Sequence, residues 1–328
     1  MHYELHHHSR YYTPRLRAMK DLFWSQSLAT FGVALVQILI PVYLLNLGYS
    51  VPEVLLFFAI MFAAAVPSSV LSTWAVSRFS ANRVMAIGYF LTTLFFLALW
   101  GLEDQLVPFW LPAVLKGIDR GIYWPPFHLT FSKSNSHKKS GGAKVGLLFA
   151  LMSAAQGIAP AVGGLVATMS GIGWVYALAA IMLFVTSIIQ FRAPDIVKHR
   201  PMNWKLVNWR LLPDAISFFS FSSAYVIETV VWPLLVFLII PSYAGIGVLS
   251  SVVIISSALA ALYVGRREGR KGERTYLQHG STVQSISNFF RLLADSAGHV
   301  FGINLVGGIG NSLTTTSMLS RFYRRADT

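Results

Sequence analysis

The sequence predicts an all-α integral membrane protein, a bundle of about ten transmembrane helices in two similar halves. Three observations carry this reading. Of the 328 residues, 55% are hydrophobic and only 12% charged, with a mean hydropathy of +0.57; a soluble domain is roughly 45–50% apolar and about 25% charged. The apolar residues come in blocks of about 20, the length that spans hydrocarbon. The basic residues crowd into every second connection between those blocks.

Residues 1–21 form a polar, basic tail. Its His6-His7-His8 run has no further ligand nearby in sequence, so it reads as a solvated tract and not a metal site. The first apolar block, 22–47, lacks a small-residue cleavage site and is long enough to remain as a span. Further spans are expected at 53–76, 84–101, 107–128, 145–168 and 174–192, completing a six-helix half over 22–192. The basic, proline-containing stretch 193–211 reads as a linker. Spans at 212–240, 245–264, 276–294 and 298–318 then give a second half of four helices within 212–328. The ninth is the weakest, interrupted by Gln278, His279, Ser281, Gln284, Ser285, Ser287 and Asn288.

Charge placement argues for keeping it. Of the 26 Lys and Arg residues, 23 fall in the tail, at 78–83, 133–144, 192–210 and 266–274, and at 321–325. The alternate connections (47–52, 102–106, 169–173, 241–244 and 295–297) hold none, but do hold Glu103, Asp104 and Asp295. The positive-inside rule places both termini in the cytoplasm, and removing the ninth span would break the alternation. The net charge of +13 is therefore topological. Anionic lipid headgroups are a sufficient partner for the basic loops, and no nucleic-acid partner is expected. Absence of cysteine excludes disulfides and thiolate metal sites.

The halves echo one another. A shift of 192 pairs Arg78 with Arg270, Ser80 with Gly272 and Gly88 with Gly280; close to that shift, Gly117-Ile118 matches Gly308-Ile309. Parallel repeats about an axis normal to the membrane are a transporter architecture.

These residues resemble the major facilitator superfamily, which carries G-x-x-x-D-R-x-G-R-R after its second span and a degenerate copy after its eighth. Gly265, Arg270, Gly272 and Arg274 match in the second copy, with Gly269 in place of the acid. In the first copy Arg78 and Arg83 stay basic, while Thr73, Ser77 and Ser80 replace Gly, Asp and Gly, which puts the family's gating charge relay in doubt. In span five Gly146, Ala155, Ala159-Pro160 and Gly163-Gly164 follow the spacing of the family's antiporter motif, two glycines having become alanine. That motif leans toward export by antiport; simple close helix packing explains the same residues. Arg120–His128 and Gly310–Leu313 are similar to stretches in bacterial members of the superfamily. The resemblance covers about residues 20–325. It implies twelve spans, so the chain is expected to be a fragment lacking spans eleven and twelve; a shortened relative is the alternative.

Charges inside the spans mark the candidate site, because an intramembrane charge is costly and faces the bundle interior. Lys116, Asp119, Arg120, Glu228 and Arg291 are those left over. Asp119 lies about 18 Å along span four, and Glu228 about 24 Å along span seven. Lys116 and Arg120 against Asp119 and Glu228 sum to zero. They read either as an ion-pair network joining spans four and seven or as a substrate and proton site. The second reading is adopted, with Asp119 or Glu228 carrying the coupling proton. The resemblance places spans one, four, seven and ten around the cavity, which adds Gln37, Asn304 and Asn311 as neutral polar candidates. Arg291 is expected to snorkel to the outer headgroups.

No phosphate-binding loop, G-x-S-x-G or H-E-x-x-H is present. The expectation is a secondary transporter of the cytoplasmic membrane, not an enzyme. It would be a monomer without cofactor, moving a small solute by alternating access, with proton-coupled export. A transport-inactive scaffold or receptor, or a membrane-embedded lipid-handling protein, is the alternative.

Overall fold

The computed structural model describes residues 24–135, 141–195, 212–265 and 273–326, together with positions 21 and 209. These residues form α1 (Trp24–Asn46), α2 (Val51–Arg78), α3 (Ala81–Trp100), α4 (Trp110–Asn135), α5 (Gly141–Ser170) and α6 (Ile172–Arg192). A second group follows: α7 (Leu212–Val226, a wide turn Ile227–Val231, then Trp232–Ile239), α8 (Tyr243–Gly265), α9 (Glu273–Arg291) and α10 (Ala297–Ala326). Every span expected from the sequence has its helix. The histidine tract, most of the linker, Arg270 and Gly272 lie outside the described residues.

Among the described residues, α1, α2, α3, α6 and Ala215–Ile239 are long and apolar enough to cross a membrane by composition alone. The others carry polar residues, and burial shows why. Ser25, Gln26, Ser68, Asn82, Asp119, Gln190, Gln284, Ser287, Arg291 and Asn304 are buried, whereas Leu56, Val66, Leu71, Ile181, Phe219 and Phe289 are exposed. A bundle in lipid hides its polar groups against each other and turns apolar ones outward. The polar ninth helix follows this rule. Gly280, Gln284, Ser287 and Arg291, spaced by four, three and four, are buried; Ile286, Phe289, Phe290, Leu292 and Leu293 face outward.

Short connections fix neighbours as antiparallel. Gly171 alone separates α5 from α6, at a φ of 91° that a residue with a Cβ rarely adopts. Ser50 and Glu53 form a capping box at the start of α2, with the Ser50 N–H donating to Glu53 Oε2 at 2.7 Å.

The repeat read from the sequence is a packing repeat. A Cβ at Gly88 would meet Tyr123 and Asp119 of α4, and one at Gly280 would meet Leu313 and Thr314 of α10. A Cβ at Gly117 would strike the Met61 carbonyl of α2, and one at Gly308 would strike Ser257 of α8. The same shift of 192 relates Pro41 to Pro233. Each proline lacks the N–H for the preceding turn and crowds its carbonyl. Accordingly α1 tightens at Gln37–Leu39, and α7 widens at Ile227–Val231, where the Trp232 N–H donates to the Ile227 carbonyl.

The first six helices and the last four meet along a seam formed by α1 and α5 on one side and α7 and α8 on the other. Residues 40–46 pack against 232–239, and Asn46 Nδ2 donates to Tyr243 OH at 2.7 Å. Gly164 accommodates the Tyr243 carbonyl, Gly247 the Pro160 carbonyl and Gly157 the Ile255 side chain. The Ala161 N–H donates to Ser251 Oγ at 2.9 Å. Among the described residues these contacts lie toward the Asn46 end. Toward the other end, residues 215–220 of α7 are exposed over more than a full turn.

Candidate functional site

The central cluster starts on α4. Lys116 and Asp119, one turn apart, form an ion pair of 2.7 Å, with Asp119 5% exposed. Gly88 makes room for the Asp119 carboxylate: a Cβ there would lie 3.3 Å from Oδ1. The next residue points elsewhere on the helix. The Arg120 guanidinium lies over Phe62 of α2 at 5.3 Å and over Tyr225 of α7 at 4.7 Å. Gln37, in the tightened turn of α1, donates from Nε2 to Tyr225 OH at 3.0 Å. Lys116 Nζ also lies over Phe95 at 5.5 Å. Helices α1, α4 and α7 thus converge about halfway along their lengths, at the seam.

A second cluster sits nearer the Asn46 end. Glu228, carried in the wide turn of α7, pairs with Arg291 of α9 at 2.7 Å. The Arg291 guanidinium lies over Trp232 at 4.6 Å, and Trp232 Nε1 donates to Asn304 Oδ1 at 2.6 Å. Two expectations need correction. Glu228 does not complete a network with Lys116 and Arg120; its partner is Arg291. Nor does Arg291 snorkel, since it is 5% exposed and held by an acid and a ring. The π-type turn ahead of Pro233 presents Glu228 to α9, a displacement that regular helical spacing does not reveal. Asn311 stays apart, exposed and bonded to Thr315 one turn along.

Sequence reasoning missed Tyr225, Phe62 and Trp232. Trp232 stands four residues after Glu228 and Tyr225 three before it, so helical neighbour spacing was the available signal. It also missed an uncharged network at the Arg78 end. Ser25 Oγ donates to Gln190 Oε1 at 2.7 Å, Gln190 Nε2 to Asn82 Oδ1 at 2.8 Å, and Asn82 Nδ2 to the Pro194 carbonyl at 2.9 Å. Tyr89 and Tyr123 both donate to Gln26 Oε1 nearby. These bonds tie α1, α3, α4, α6 and the chain leaving α6.

The motif residues have packing roles. Gly163 sits on the backbone of Leu35 in α1, within the first half, whereas Gly164 and Pro160 face α8 across the seam. Gly146 lies in α5. Arg78 stacks over Trp74 at 4.8 Å and Arg83 over Phe191 at 5.7 Å, while Ser77 stands at the position of the motif's acid. Gly265 ends α8, and Arg274 is exposed near the start of α9.

The sequence profile of the Major Facilitator Superfamily matches residues 22–213, more than half of the chain. The chain belongs to the Major Facilitator Superfamily. Among solved structures, the fold is similar to a bacterial homologue of the iron transporter ferroportin in its inward-facing state, with a TM-score of 0.64 at 14% identity, covering 94% of this chain and 84% of that one. It is equally similar to a point mutant of the nucleoside transporter NupG, with a TM-score of 0.64 at 13% identity, covering 93% and 82%. No curated protein sequence matches it. This superfamily member is therefore a multi-pass membrane protein with a transporter fold.

Proposed function

We propose that this superfamily member is a secondary active transporter that moves a small solute across the cytoplasmic membrane by alternating access. In this reading 22–192 and 212–328 are the two rocking bodies and 193–211 is the linker between them. The observation that carries it is the meeting of Arg120, Gln37 and Tyr225 at the seam, where a solute would touch both bodies.

With the N-terminus cytoplasmic, the Asn46 end faces outward. The contacts between 40–46 and 232–239 then form an outer gate, and the exposed stretch of α7 lines a path open to the cytoplasm. Opening the outer gate requires those two segments to part, and each is set off by its proline break. The protein acts as a monomer in this reading.

Coupling is assigned to protons, in the direction of export by antiport. Asp119 is the favoured carrier, because protonating it frees Lys116 within reach of the central site; Glu228 is the second candidate. A pH gradient imposed on proteoliposomes tests this. Asp119→Asn is expected to abolish uphill movement while leaving solute exchange at equal concentrations. Unchanged uphill flux in both Asp119→Asn and Glu228→Gln would sink the assignment.

The iron named for one structural relative is not carried over. Among the described residues no three His, Asp or Glu side chains gather at one place. The transport-inactive reading draws on Ser77, which stands where the loop motif has its acid and bonds instead to the Trp74 carbonyl at 2.6 Å. Gradient-driven flux of any solute decides between the two.

A further inference from the structure

The charges at the centre of the bundle do not balance. Lys116 is paired with Asp119 and Glu228 with Arg291, each at 2.7 Å. Among the described residues Arg120 has two aromatic neighbours, one of which, Tyr225, also takes a hydrogen bond from it through its hydroxyl, and no carboxylate. A ring face offsets part of a cation's charge and the hydroxyl takes one N–H, but a guanidinium inside a membrane has further N–H donors to satisfy.

The groups around it are donors too. Tyr225 OH accepts from Gln37 and from Arg120, which leaves its own proton to give away. Lys116 gives one N–H to Asp119 Oδ2 and keeps two. The acceptors nearby are Asp119 Oδ1, turned toward Gly88 on α3, and the neutral amide oxygen of Gln37. A site of surplus positive charge whose charged free groups all donate fits an anionic, acceptor-only ligand.

We propose that Arg120, with Lys116 and the Tyr225 hydroxyl, binds an anionic group of the transported solute, a carboxylate or a phosphate. The fork of a guanidinium holds either one through two parallel hydrogen bonds. This rests on the transporter reading for the word "transported" but not for the binding itself.

The test titrates purified full-length chain with benzoate, succinate and inorganic phosphate at constant ionic strength, with benzamide and benzylamine as neutral and cationic counterparts. Thermal stability and isothermal titration are the readouts. At least one anion is expected to stabilise saturably while benzamide and benzylamine do not; benzoate or succinate against phosphate separates the two chemistries. Arg120→Gln is expected to weaken that anion about thirtyfold or more. Tyr225→Phe, which keeps the ring, is expected to weaken it about tenfold and serves if Arg120→Gln does not fold. Arg83→Gln, on the surface, should leave it unchanged.

Saturable binding by none of the anions overturns the proposal. So does equal binding by benzamide, or an affinity indifferent to both Arg120→Gln and Tyr225→Phe. Anion binding through Arg120 without flux of any probe would remove the transporter reading and keep the site. Flux of a neutral probe unaffected by Arg120→Gln would do the reverse.

Discussion

Arg291 reaches across from the end of α9 to Glu228 in the wide turn of α7, Nη2 to Oε2 at 2.7 Å. The pair is incompletely satisfied: Glu228 Oε1 and Arg291 Nε and Nη1 are buried without a hydrogen bond among the described residues. A buried pair of this kind adds little net stability, yet losing one member strands the other charge. Arg291→Met is expected to cost about 3 kcal/mol, and Arg291→Met with Glu228→Gln to recover most of that loss. Detergent unfolding of both single variants and the double variant measures the coupling. Additive losses would contradict it.

That pair also marks the limit of what could be read in advance. The spans, their order and the repeat were legible because hydropathy and charge alternation act over about 20 residues at a time. The ninth helix was recoverable from charge topology although its buried face is polar. The central residues Lys116, Asp119 and Arg120 were legible as charges in an apolar span. Their partners were not: Glu228 meets Arg291 because a proline four residues past Thr229 reshapes the turn, and Arg120 meets Tyr225 because the halves dock there. Both depend on helix geometry and packing across 63 and 105 residues of chain, not on local pattern.

The glycines of the helix contacts make a sharper test of packing. A Cβ at Gly163 would fall on the Leu35 backbone, which cannot move aside as a side chain can. Gly302 in α10 has open space around the same position. Gly163→Ala should therefore lower the unfolding midpoint by several degrees, while Gly302→Ala leaves it within about one degree or raises it slightly. Equal effects from the two would contradict the close approach of α5 and α1.

Gln190 is the hub of the uncharged network at the Arg78 end, fully buried and bonded to both Ser25 and Asn82. Gln190→Leu keeps the bulk but leaves both partners short of a hydrogen bond. The expected cost is about 2 kcal/mol, read as a lowered midpoint in the same unfolding assay. Faster proteolysis near residue 194, where Asn82 holds the chain, should accompany it. A variant as stable as the parent would remove the network from the account of how the first half is held together.

The outer gate offers the most direct test of alternating access, because the chain has no cysteine of its own. Asn46 and Tyr243 touch across the seam through the tips of their side chains, so Asn46→Cys with Tyr243→Cys should be bridged by a short bifunctional thiosulfonate, whose mixed disulfides fill the space the tyrosine ring leaves and are broken by reduction. The measurement is flux of benzoate, succinate, phosphate and neutral solutes into proteoliposomes, before cross-linking, after it and after reduction. Gradient-driven flux of an anionic solute that stops when the gate is locked and returns on reduction is the expected result. Flux of no solute under any condition, or flux unaffected by the lock, contradicts it.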